Sequence, residues 1–201
     1  MAPLVLQYSR IGWRRVAARV ERRDVGLFDK LGLSLLDRSK PTLKPVPTPE
    51  DPQAVCAPVT GRLVALGDVS DPAFAQGMLG AGAGIAPEGD MAYSPVSGVV
   101  AAEVKTRHAL LIKAEGGAEV LLHVGLDSVA LGGTGFRQLV GKGETVRAGQ
   151  PVLAFDRALM AARGLDDTVV VTVTNPGDFS SVEVCAEGEV TAGSAMLWCV
   201  S

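Results

Sequence analysis

The sequence predicts an all-β protein, an antiparallel β-sandwich or barrel with duplicated motifs and few short helices, preceded by a flexible N-terminal arm. Three observations lead there. From Val55 onward, short apolar runs alternate with Asp/Gly/Pro/Asn clusters, the pattern of strands and tight turns. The 201 residues include 24 Gly and 12 Pro but only 4% aromatics, a composition suited to many short strands. Two pairs of segments also echo each other. Ala57-Pro-Val-Thr-Gly61 resembles Ser94-Pro-Val-Ser-Gly98, and Gly143-Glu-Thr-Val-Arg-Ala-Gly149 resembles Gly188-Glu-Val-Thr-Ala-Gly193. Duplicated strand–turn units without crossover helices favour antiparallel pairing.

The elements follow in order. Residues 1–25 are read as a basic extension, expected to be disordered; six arginines face only Glu21 and Asp24, a formal +4. One hypothesis for the extension is that translation begins at Val25 from a non-ATG codon, which an intact mass containing residues 1–24 would sink. Residues 26–37 form an amphipathic segment in which Leu27, Phe28, Leu31 and Leu35 share a helical face, opposite Asp29 and Lys30. Residues 38–53 read as a linker, because Pro41, Pro45, Pro47, Pro49 and Pro52 favour an extended, semi-rigid spacer. Residues 54–201 form the domain. Its expected strands are Gly61–Leu66, Gly98–Val104, Ala109–Ala114, Glu119–His123, Pro151–Phe155 and Thr168–Val173. A helix is expected over Asp156–Arg163, with Asp156 as N-cap.

Composition limits the function. A net charge of −3 argues against a general nucleic-acid binder. Cys56, Cys185 and Cys199 form no CxxC pair, which suits a reducing cytoplasm and excludes a cysteine-only zinc cage. No apolar run approaches the roughly 20 residues of a membrane-spanning helix, and no secretory signal is recognisable. Gly80-Ala-Gly-Ala-Gly84 and Gly132-Gly-Thr-Gly135 lack the context of a phosphate loop and are read as turns.

The candidate chemistry rests on two histidines. His108 opens His-Ala-Leu-Leu-Ile112, and His123 lies in Val-Leu-Leu-His-Val-Gly125. A hairpin turn at Glu115-Gly-Gly117 brings their strands side by side. Alternation puts Leu121 and His123 on one face, and His108, Leu110 and Ile112 on another. Taken singly, each histidine reads as a core imidazole bonded to a backbone carbonyl; two on paired strands weaken that reading. Burial keeps such an imidazole neutral, and a neutral ring with one nitrogen's proton held offers the other as a nucleophile.

These residues resemble the glucose-type enzyme IIA family of the bacterial phosphoenolpyruvate:sugar phosphotransferase system. The resemblance runs through Ala57–Gly61, Asp68–Ala75, Ser94–Gly98, Thr106-Arg-His-Ala109, Leu122-His-Val-Gly-Leu-Asp127, Gly133-Thr-Gly-Phe136 and Gly149-Gln-Pro-Val152. The 15-residue interval between the histidines is its most specific feature. Gly26-Leu-Phe-Asp-Lys-Leu31 resembles the amphipathic N-terminal segment of some members, which implies membrane-surface contact through residues 26–37.

The resemblance implies a phosphocarrier, cytoplasmic or peripheral at the inner face of the cell membrane. His123 would accept a phosphoryl group on Nε2 from the histidine phosphocarrier protein HPr and pass it to a cysteine of a sugar-specific IIB domain. His108 would stabilise the transferred group, Thr106 would orient His108, and the Gly125 region would hold the Nδ1 proton of His123. Phe74, Met78, Leu79, Val104, Leu111, Leu121 and Val129 match an apolar partner-docking face, and Asp71 and Asp127 match acidic positions at its rim. Taken alone, those apolar residues read as core and the two aspartates as turn caps. Leu121, Val124, Val104 and Leu111 stand where aromatics often occur, so a flatter face is expected. No cofactor or nucleotide is required, though His108 and His123 could share a regulatory zinc with a partner's carboxylate. Regulated enzymes or transporters are further expected partners.

Two other readings fit the sequence less well. A lysostaphin-type zinc hydrolase needs a third ligand, and position 125 is Gly where a histidine would be required. A biotinyl or lipoyl carrier resembles residues 143–153, but no lysine occupies a suitable hairpin turn.

Overall fold

The computed structural model describes residues 44–201. The basic extension, the amphipathic segment and the linker up to residue 43 lie outside the described residues.

Fourteen strands are described, and every pairing among them is antiparallel. In chain order they are β1 (Ala54–Cys56), β2 (Gly61–Ala65), β3 (Ala81–Pro87), β4 (Met91–Tyr93), β5 (Gly98–Glu103), β6 (Ala109–Ala114) and β7 (Glu119–Val124). Then come β8 (Phe136–Gln138), β9 (Thr145–Val146), β10 (Pro151–Phe155), β11 (Val169–Val173), β12 (Ser181–Val184), β13 (Glu189–Val190) and β14 (Ala195–Val200). Eight of them form one sheet in the order β13-β2-β3-β11-β7-β6-β5-β9. Two three-stranded sheets, β1-β14-β12 and β4-β10-β8, complete the domain. The expected antiparallel all-β architecture is therefore observed.

The duplication has a physical counterpart. Gly61 of β2 pairs with Val190 of β13, and Gly98 of β5 pairs with Val146 of β9. Each Pro-Val-x-Gly echo thus leads into a strand whose edge partner comes from a Gly-Glu echo. The two assemblies sit at opposite ends of the eight-stranded sheet.

Burial follows sequence pattern. All five residues of β10 and of β11 are buried, as expected for continuous apolar runs covered on both faces. In β7, Val120, Leu122 and Val124 enter the core, while Glu119, Leu121 and His123 face the other way. A second, smaller cluster of Val69, Phe74, Leu126 and Val170, with Leu79 and Leu121 packed against it, lies apart from the main core.

The six expected strands are present, with ends that move by at most one residue. The expected helix is α2 (Arg157–Ala162), and Asp156 caps it by accepting from the Leu159 N–H at 2.8 Å. One expectation fails. The Gly80–Gly84 run is not a turn but mostly belongs to β3, between β2 and β11. A Cβ at Gly82 would overlap the Val171 carbonyl oxygen, so glycine there serves close strand approach and not turn formation. The Gly132–Gly135 run is a turn as expected. A one-turn helix, α1 (Pro72–Ala75), and strands β1, β4, β8, β9 and β12 to β14 were not foreseen. No helix among the described residues is long and apolar enough to cross a membrane.

Candidate active site

The hairpin expected at residues 115–117 joins β6 to β7, with Gly117 in the left-handed region (φ 89°) and its N–H donating to the Ala114 carbonyl. Its register sets Ala109 opposite His123 and Leu111 opposite Leu121. On the other side of β7, Val170 of β11 faces His123. His123 is therefore held in the middle of the eight-stranded sheet.

Strict alternation would put His108 on the face away from His123, yet the two rings meet edge to face with centroids 4.8 Å apart. His108 lies one residue before β6. It follows Arg107, whose φ of 59° lies in the left-handed region, in a turn closed by the Arg107 N–H donating to the Val104 carbonyl. The pleat has not begun there, so the turn decides where the ring goes. Thr106 Oγ1 is 2.9 Å from His108 Nδ1. The His108 carbonyl accepts the Val124 N–H at 2.8 Å, which ties this residue to the strand carrying His123.

Aromatic walls complete the site. Phe74 of α1 stands edge-on to His123 at 5.1 Å, and Phe136 of β8 lies 6.2 Å from His108. Burial pushes His108 down to about 4. Burial, and then the neighbouring His108, push His123 down to about 3. Both rings are neutral at pH 7. His123 Nδ1 is buried without a hydrogen-bond partner. The bond expected at Gly125 is thus not formed: the Gly125 carbonyl accepts from Ser128 Oγ at 2.9 Å, and the same hydroxyl donates to the Val124 carbonyl at 2.7 Å.

This is a site of two neutral imidazoles meeting edge to face on an apolar face, one of them tethered by a hydroxyl. The family model described as phosphoenolpyruvate-dependent sugar phosphotransferase system, EIIA 1, matches residues 53–179. The chain belongs to that EIIA family. The glucose-specific EIIA component of Oceanobacillus iheyensis is 37% identical over 69% of this chain and 84% of its own length. The beta-glucoside-specific EIIBCA component of Dickeya chrysanthemi is 40% identical over 72% of this chain, yet only 23% of that protein is covered. The N-acetylglucosamine-specific EIICBA component of Escherichia coli gives 37% identity and 25% coverage of its length. The chain therefore spans about a quarter of these longer relatives. Among solved structures, glucose permease IIA from Mycoplasma capricolum superposes with a TM-score of 0.65 at 32% identity, over 72% of this chain and 93% of that one.

In this EIIA domain the other expected residues divide. Met78 and Val129 are open to solvent at 51% and 38%, while Leu79, Val104, Leu111 and Leu121 are half-buried. Phe74 corrects the expectation: at 1% exposure it is a wall behind His123 and not part of an outer docking face. Asp71 caps α1, its Oδ1 accepting from the Ala73 N–H at 2.7 Å, as its reading as a turn cap expects. Asp127 makes no such cap bond and adopts a φ of 54°. A cavity of about 340 Å³ lined by Glu103, Val104, Lys105, Arg107, Gln138 and Glu144 touches neither histidine.

Three contributors escaped the sequence reading. The match at Gly133-Thr-Gly-Phe136 gives Phe136 no role of its own, yet its ring lines His108. Ser128 is fully buried and braces the Val124 and Gly125 carbonyls, and Arg107 turns the chain into His108. A positive φ at an arginine has no sequence signal.

Proposed function

We propose that this EIIA domain carries a phosphoryl group on His123, taking it from phospho-HPr and giving it to a cysteine of a IIB domain. The observation that supports this most directly is the pairing of two neutral imidazoles 4.8 Å apart, with Thr106 Oγ1 on His108 Nδ1. The Nε2 lone pair of His123 attacks phosphorus as the donor's N–P bond breaks, and onward transfer breaks the new N–P bond as a thiolate attacks. Such transfer passes through a loose transition state, so positioning and electrostatics carry most of the catalysis.

Attack through Nε2 requires the ring proton on Nδ1. That atom is buried and unpartnered here, and the family resemblance assigns its proton to the Gly125 region. A Thr106 hydroxyl donating to His108 Nδ1 puts the His108 proton on Nε2, where it can donate to phosphoryl oxygens. Half-buried Leu79, Leu111 and Leu121 exclude water from the labile N–P bond once a partner docks. Phosphorylation adds about −1.5 to −2 charges to this face, taking phosphoserine-like values as a guide, which favours release of one partner and admission of the next. Among the described residues no three His, Cys, Asp or Glu cluster to hold a metal, so a regulatory zinc at His108 and His123 would take a carboxylate from the partner.

The test is phosphorylation by phosphoenolpyruvate, enzyme I and HPr, read as an acid-labile, base-stable mass gain of one phosphate. Loss of labelling in His123→Gln, and labelling with blocked onward transfer in His108→Gln, is the expected result. A folded wild-type protein that takes no label overturns the proposal.

A further inference from the structure

The Gly-Glu echoes end in glycines that do something the phosphocarrier function does not use. Gly149 and Gly193 both lie in the left-handed region, with φ of 74° and 89°. A Cβ on Gly149 would overlap the Val46 carbonyl oxygen, and one on Gly193 would overlap the Pro47 carbonyl oxygen. The contacts interlock. Thr48 Cγ2 would stand 2.9 Å from a Cβ on Gly149, and Val46 Cγ2 at the same distance from one on Gly193. The Val46 N–H donates to the Gly149 carbonyl at 3.0 Å. Both turns are also anchored to the domain, through the Gly149 N–H on the Ser94 carbonyl and the Gly193 N–H on the Ala57 carbonyl. Ser94 and Ala57 open the two other echoes. The duplicated units thus place two side-chain-free turns side by side, and the Pro-rich segment lies across both.

We propose that the paired turns are a seat that reads the backbone of residues 45–49. The seat makes this stretch an integral part of the domain and launches the preceding chain from a fixed point. An X-Pro-X-Pro segment suits such a seat. Its extended backbone is largely preordered, so little entropy is lost on seating, and its carbonyls are free of internal hydrogen bonds. Only Val46 and Thr48 interrupt the prolines there, and Val46 supplies the donor. The consequence is mechanical. Measured from Val46 instead of Ala54, the linker expected over residues 38–53 loses eight residues, about 25 Å of extended contour. The point from which the preceding chain leaves the domain is then set by the seat.

Each echo carries its own control. Gly143 (φ 89°) and Gly188 (φ 66°) are equally left-handed, but a Cβ there meets nothing within 4 Å. Alanine at 143 or 188 imposes backbone strain alone, whereas alanine at 149 or 193 also evicts the segment. Amide hydrogen exchange of the full-length protein, read by NMR, tests this. In wild type the Val46 amide is expected to exchange at least tenfold more slowly than the Thr48 amide. That protection should persist in Gly143→Ala and Gly188→Ala and vanish in Gly149→Ala and Gly193→Ala, with the Leu122 and Val171 amides confirming a folded sheet in each. Unprotected Val46 in wild type overturns the proposal, as does equal protection in the two classes of variant. Should one variant fail to fold, the other pair and Val46→Pro, which removes the donor together with the Val46 side-chain contact to Gly193, decide the question through the Thr48 methyl contacts to Gly149. The readout is independent of phosphorylation.

Discussion

Replacing Thr106 with valine removes one hydroxyl and little else, because the two side chains are nearly the same shape. The hydroxyl is 2.9 Å from Nδ1 of a histidine that is only 3% exposed. Valine leaves that nitrogen buried without a partner, a cost of about 1–3 kcal/mol. If the bond serves to hold the His108 proton on Nε2 for the phosphoryl group, the same energy appears in the transfer barrier, a slowing of about 5- to 150-fold. The assay starts from protein phosphorylated at His123 and follows quenched-flow transfer to a IIB domain. Thr106→Val should slow this step, and Thr106→Ser should restore it. Nitrogen-detected NMR should show the Nε2–H tautomer of His108 in wild type and a mixture in the valine variant. An unchanged transfer rate, or an Nδ1–H tautomer in wild type, would refute the reasoning.

Both histidines have pKa values below the ordinary 6.5, at about 4 and about 3. The unfolded chain therefore binds more protons than the folded one below pH 6.5, and stability falls as pH drops from there toward 4. Each histidine adds a slope of up to about 1.4 kcal/mol per pH unit, which urea midpoints measured between pH 7.5 and 4.5 should show and which His123→Gln should reduce. Leu122→Ala, in the core, should cost about 2–5 kcal/mol in urea unfolding, whereas Leu121→Ala, on the site face, should cost less and weaken partner-dependent transfer instead. Arg107→Gly should raise stability by about 1 kcal/mol by relieving the left-handed φ of 59°, and Arg107→Val should lower it; equal melting temperatures for all three would contradict the strain.

By itself the sequence determined the fold class, the six strands whose apolar runs end in turn clusters, the β6–β7 hairpin and the α2 cap. These are local properties: alternation, turn chemistry and capping act over a few residues, so spacing alone reveals them. It also picked out His108, His123 and Thr106, because a two-histidine interval within a family pattern survives without coordinates. The features that depended on long-range packing are non-local. The meeting of the two rings depends on a left-handed Arg107, Phe74 belongs behind His123 because α1 folds over β7, and the Gly80–Gly84 run became a strand because β11 passes too close for any Cβ. Gly149 and Gly193, 44 residues apart, became partners only when two copies of one turn closed on the same proline-rich stretch. Close approach between distant backbones leaves glycine in the sequence, but not the name of what it approaches.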